Sequence, residues 1–101
     1  MGKLIYDGEL AIPFDDRLLS HLQYVIGTKL RRSEGFYFSW REDARSGEGR
    51  SSVWMHPTVP IRFKYAGTVS VTLNREWLEA LAVTANSAAG LSIVPEPEQS
   101  S

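Results

Sequence analysis

The first thirteen residues, MGKLIYDGELAIP (Met1–Pro13), place two short runs of strand-forming residues, Lys3–Tyr6 and Glu9–Pro13, on either side of Asp7-Gly8. Asp-Gly between two such runs is a strong hairpin signal, because a type I′ turn needs positive φ at both central residues. The stretch therefore predicts a hairpin with Gly8 at positive φ. Pro13 has no amide hydrogen to give a neighbouring strand and marks a strand end or an edge. A lysine ahead of Asp-Gly also raises a covalent reading. In a Lys-x-Asp-Gly motif the lysine amine attacks the α-phosphate of a nucleotide. Here the spacing is two residues too long, which on a strand moves Lys3 roughly 7 Å further from Asp7. The turn needs no such chemistry, and Lys3 reads as a solvated side chain.

Working outward, Asp15 is placed to cap a helix, since its carboxylate can accept from an unpaired backbone N–H. Phe14 and Leu19 flank that start as a hydrophobic staple. Leu18, Leu19, Leu22, Val25, Ile26 and Leu30 recur at helical spacing, Lys29, Arg31 and Arg32 collect at the C-terminal end, and Gly35 follows. Phe36, Phe38 and Trp40 alternate with Tyr37, Ser39 and Arg41, the pattern of a strand with one buried face. Residues 42–49 are polar and read as a mobile loop. Arg50–His56 alternates again, with Val53 and Met55 on one face and Trp54 on the other. Pro57 and Pro60 bracket a turn. Ile61, Phe63 and Tyr65 alternate with Arg62 and Lys64, and a further short strand is expected at Val69, Val71 and Leu73. A second helix starts at Asn74, buries Trp77, Leu78, Leu81 and Ala85, and ends before Gly90; Leu91–Val94 is a last strand. The order β-β-α-β-β-β-α-β predicts a single α+β domain over residues 1–95, a mostly antiparallel sheet with two helices on one face, followed by a flexible tail at 96–101.

Composition narrows the function classes. The chain has 101 residues, 43% of them hydrophobic, with a net charge of -1, so no global field draws it to nucleic acid or to a membrane surface. It has no cysteine, which excludes disulfides, thiolate metal sites and a thiol nucleophile. No run approaches the ~18 apolar residues of a membrane span, and the start of the chain lacks the apolar core of a signal peptide. A cytoplasmic domain is expected.

The stretches MGKLIYDG, HLQYVIGTKLRRSEGFYFSW, VWMHPTVPI and NREWLEALAVTANSAAGLSIVPEPE resemble a family of small uncharacterised actinobacterial proteins of about 100 residues. Members often carry the label "ATP-dependent DNA ligase". The resemblance covers nearly the whole chain and implies the same fold and a link to DNA metabolism, with no catalytic residue to carry over. A ligase core is several times longer and surrounds its nucleotide with further lysines and acids, whereas this chain has three lysines.

No other pattern specifies catalysis. His21 and His56 are the two histidines and show no metal-ligand spacing. There is neither a Gly-x-Ser-x-Gly elbow nor a phosphate-binding Gly-x4-Gly-Lys loop. No catalytic residue, cofactor or metal is expected. The basic middle is more informative. Residues 29–64 hold eight cations (Lys29, Arg31, Arg32, Arg41, Arg45, Arg50, Arg62 and Lys64) against four acids (Glu34, Glu42, Asp43 and Glu48). If alternate strand residues share a face, Tyr37, Arg41, Trp54, Arg62 and Lys64 form a basic and aromatic surface suited to nucleic acid or a protein partner. The leading reading is a small non-catalytic binding module associated with DNA. The alternatives are a nucleotide-binding or ligase-like accessory protein, and a module that pairs with another protein or a second copy of itself.

Overall fold

A computed structural model describes residues 1–41 and 49–98. Most of the loop expected at 42–49, and the last three residues of the tail, lie outside the described residues. The strands are β1 (Gly2–Tyr6), β2 (Leu10–Phe14), β3 (Phe36–Arg41), β4 (Arg50–Met55), β5 (Ile61–Lys64) and β6 (Leu91–Ser92). The helices are α1 (Asp16–Arg31), between β2 and β3, and α2 (Arg75–Ala85), between β5 and β6. The chain is thus a compact α+β domain in the order that the sequence predicts.

The opening hairpin forms as expected. Leu4 pairs with Ile12 and Tyr6 with Leu10, and the turn places Asp7 at φ 54° and Gly8 at φ 72°. Asp15 caps α1 through a 2.8 Å bond from the Leu18 amide, and Asn74 caps α2 by accepting from the amides of Glu76 and Trp77. The helix ends differ from the simple glycine pattern. Ser33, at φ 58°, turns the chain after α1, and Asn86 caps α2, while Gly90 at φ 89° redirects the chain into β6.

Two features correct the sequence reading. The strands form two three-stranded sheets, β2-β1-β5 and β4-β3-β6, not one continuous sheet. The chain changes sheet at residues 56–60, a β-turn with Pro57 at its favoured second position followed by Pro60. Val59 N–H bonds back to the His56 carbonyl, and Pro60 presents its own carbonyl to the Asp7 amide at 2.8 Å. The chain is delivered to β1, and Tyr6 pairs with Ile61. The second correction is the strand expected at Val69–Leu73, which is irregular. The Asp16 carboxylate captures the amides of Ala66 (3.0 Å) and Gly67 (2.9 Å) as β5 ends, and Val69 is left 87% exposed. Those two backbone bonds, Ala66 first, also hold the Asp16 carboxyl below its ordinary pKa. Alternation of apolar residues here accompanies no strand pairing, and of Val69, Val71 and Leu73 only Val71 is half-buried.

A single core joins the layers. Leu4, Ile12 and Phe14 come from the first sheet, Phe36, Phe38, Trp40 and Met55 from the second, and Leu19, Leu22 and Ile26 from α1. Trp77, Leu81 and Ala85 of α2 and Leu91 of β6 complete it. Burying such side chains stabilises the fold by about 1.5–3 kcal/mol each.

Two buried polar residues, His21 and Asn74, tie the helices together. The Asn74 backbone N–H donates to His21 Nε2 at 2.8 Å, and His21 Nδ1 lies 2.7 Å from the Arg17 carbonyl. An amide can only donate and a carbonyl can only accept, so the imidazole carries its hydrogen on Nδ1. The ring also packs on Trp77, with centroids 4.5 Å apart. At the far end Lys29 of α1 donates to Asn86 at 2.6 Å. Starts meet starts and ends meet ends, so α1 and α2 run side by side in the same direction. Their positive dipole ends gather at one place, and the carboxylate of Glu96 sits there. Arg17 donates to it through Nε (2.7 Å) and Nη2 (2.6 Å), and Asn74 Nδ2 donates at 2.9 Å. The Arg17 fork, followed by the Asn74 amide, holds the Glu96 carboxyl down at about 2.

A carboxyl whose pKa is lower in the folded than in the unfolded chain stabilises fully above its unfolded value, and loses that contribution as pH falls. Glu96→Gln should therefore lower the melting temperature most near neutral pH. The gap to wild type should close as pH falls from about 4.5 toward about 2. A gap that stays constant across that window would show that the charge of Glu96 contributes nothing.

Candidate functional site

The strand period separates β3 and β4 into two faces. Phe36, Phe38, Trp40 and Met55 point into the core. The opposite face presents three cross-strand rungs: Tyr37 opposite Trp54, Ser39 opposite Ser52, and Arg41 opposite Arg50. Each rung pairs like with like. Tyr37 and Trp54 meet edge to face with centroids 5.1 Å apart, and they remain 50% and 46% exposed. The Ser39 and Ser52 hydroxyls share a 2.6 Å hydrogen bond. Arg41 and Arg50 are exposed, and no carboxylate among the described residues pairs with either.

The aromatic rung is held in place by two glycines. A Cβ on Gly35 would lie 2.4 Å from Trp54 Cζ2, so the indole rests directly on the Gly35 backbone. A Cβ on Gly90 would lie 2.3 Å from the Tyr37 carbonyl oxygen, so β6 can enter the sheet only through glycine. The Tyr6 hydroxyl donates to the Trp54 carbonyl at 2.5 Å and links this sheet to the first. The pair is thus pre-organised, with much of its surface facing solvent.

The expected site residues divide between the two sheets. Tyr37, Trp54 and Arg41 come together on β3 and β4. Arg62 and Lys64 are exposed on β5 in the other sheet, where Lys64 stands opposite Lys3 and Arg62 opposite Ile5. Their neighbour is therefore Lys3, the lysine of the opening hairpin, with Asp7 at the turn beyond it. Sequence reasoning passed over Arg50, Ser39 and Ser52 as site residues. A signal was available: in a hairpin closed by a loop after Arg41 and before Arg50, those two arginines are natural partners.

Residues 1–96 match the family described as Domain of unknown function (DUF7882). The chain belongs to this family. Comparison with curated proteins found no match, and comparison with solved structures found none. In this DUF7882 domain no group of three or more metal-ligating side chains is present among the described residues. No helix among them is long and apolar enough to cross a membrane.

The floor under Trp54 is testable. Gly35→Ala should push the indole off the sheet, because its Cβ has no room beside the ring. In an amide and indole correlation spectrum the Trp54 indole resonance should move. The Trp77 resonance, fixed by a 2.8 Å bond to the Val94 carbonyl, should stay. An unmoved Trp54 signal would contradict the packing described.

Proposed function

We propose that this domain is a non-catalytic binding module for single-stranded nucleic acid, acting through the outer face of β3 and β4. The observation that carries the reading is the pre-organised, half-exposed Tyr37–Trp54 pair in line with the Arg41–Arg50 rung. Exposed aromatics on a sheet offer faces for unpaired bases, and stacking is indifferent to sequence because every base has a π-face. Two cations placed directly opposite each other cost stability. An anion between them repays that cost, and phosphate suits the planar guanidinium fork. With a net charge of -1, affinity must come from this local arrangement and not from the field of the whole molecule.

Arg62 and Lys64, with Lys3, receive a smaller role: they steer an approaching polyanion at long range without touching it. The label "ATP-dependent DNA ligase" of the resembling actinobacterial family fits a nucleic-acid partner. It fits a lysine nucleophile less well, since Lys3 stands on an open sheet face opposite Pro13 and Lys64.

The experiment is fluorescence anisotropy with short labelled poly-dT, poly-U and a duplex of equal length. Single strands of either sugar should bind more tightly than the duplex. For two phosphate contacts the logarithm of affinity should fall with the logarithm of salt at a slope on the order of -1.4. Trp54→Ala should weaken single-strand binding by about 1–3 kcal/mol and leave the salt slope unchanged. No saturable binding at low salt, or a Trp54→Ala variant that binds as wild type does, would refute the proposal.

A further inference from the structure

Beside the arginine rung the second sheet is incomplete. β6 pairs with β3 only at Phe38–Leu91 and Ser39–Ser92, so its ladder stops short of Trp40 and Arg41. The chain beyond Ser92 is drawn toward α2, where Trp77 Nε1 donates to the Val94 carbonyl. The result is a notch of about 390 Å³ at the open edge of β3. Phe14, Trp40 and Ile93 form its apolar wall, and Arg41, Arg50 and the serines Ser39 and Ser92 its polar rim. That volume falls within the range of small-molecule sites, about 300–1,000 Å³.

We infer that this notch binds the terminal phosphate monoester of a nucleic-acid strand, with the adjoining nucleotide against the apolar wall. The inference rests on the single-strand reading above. A terminal monoester carries up to two negative charges near neutral pH, because its second pKa is about 6, whereas an internal diester carries one. Two guanidinium forks on one rung answer the doubled charge, and the serine hydroxyls can donate to the remaining oxygens. Phe14 and Trp40 are buried core residues, so the notch closes inward and a strand can enter without passing through. The aromatic rung stands four residues along the strand, about 13 Å away, which leaves room for the chain to run from its end to the stacking pair.

The test compares poly-dT of one length bearing a 5′-phosphate, a 3′-phosphate or hydroxyls at both ends. A phosphate at one end should tighten binding about tenfold or more over the hydroxyl form. The end that gains identifies the strand direction. Ser92→Asp puts a carboxylate on the rim, and Arg50→Gln removes one fork. Both residues are on the surface, and in each variant the phosphate-to-hydroxyl affinity ratio should fall to about one. Equal affinity of all three oligonucleotides for wild type, with Trp54→Ala still weakening each, would overturn the inference and leave the single-strand reading intact. A ratio that survives both variants would also overturn it, because the phosphate would then bind elsewhere. No binding by any of the three would end both readings together.

Discussion

The fold depends on a buried hydrogen bond between two residues far apart in sequence, from the Asn74 amide to the His21 imidazole. An unpaired amide or imidazole nitrogen in this core would cost about 1–3 kcal/mol, so each residue fixes the position of the other. Asn74 is at once the partner of His21, the cap of α2 and the donor to Glu96. Placing it therefore sets where α2 begins and where the chain after β6 returns. With α2 fixed against α1, β6 is fixed too, and Gly90 lies against Tyr37. The exposed aromatic pair on the outer face thus traces back, through one helix and one short strand, to a polar contact in the core.

Local chemistry was legible in the sequence because each signal involves residues within a few positions. Asp7-Gly8 specifies its own turn, and Asp15 and Asn74 specify their own helix starts. Alternation in Phe36–Arg41 and Arg50–Met55 distinguishes inside from outside correctly. Partner choice was less legible. Alternation says which way a side chain points and not which strand lies beside it, so nothing local to Ile61–Lys64 announces that it leaves β4 for β1. The Val69–Leu73 stretch shows the same limit. Its apolar alternation is that of a strand, but Asp16, fifty residues earlier, takes the chain at Ala66 and Gly67.

The candidate site was legible to the same degree. Outward placement of Tyr37, Arg41 and Trp54 followed from the strand period. Arg62 and Lys64 were grouped with them on the presumption of one sheet, and they lie on the other. Arg50 was missed although the loop joining it to Arg41 makes the two natural partners, and the register sets it opposite Arg41. The two glycines were legible as punctuation only. Gly35 reads as a residue after a helix and Gly90 as a stop. In the folded chain one is the floor of Trp54 and the other is the passage by Tyr37. Each such role depends on a residue distant in sequence, and local patterns carry no information about it.

The central claim is that the β3–β4 outer face, and not the cationic face of the other sheet, meets a single strand. Titration of the isotopically labelled domain with short poly-dT tests this residue by residue through amide and indole chemical shifts. The account predicts saturable shifts grouped at Tyr37, Ser39, Arg41, Arg50, Ser52 and Trp54, with Lys3, Arg62 and Lys64 nearly still. Shifts centred on Lys3, Arg62 and Lys64, or spectra unchanged at saturating oligonucleotide, would contradict it.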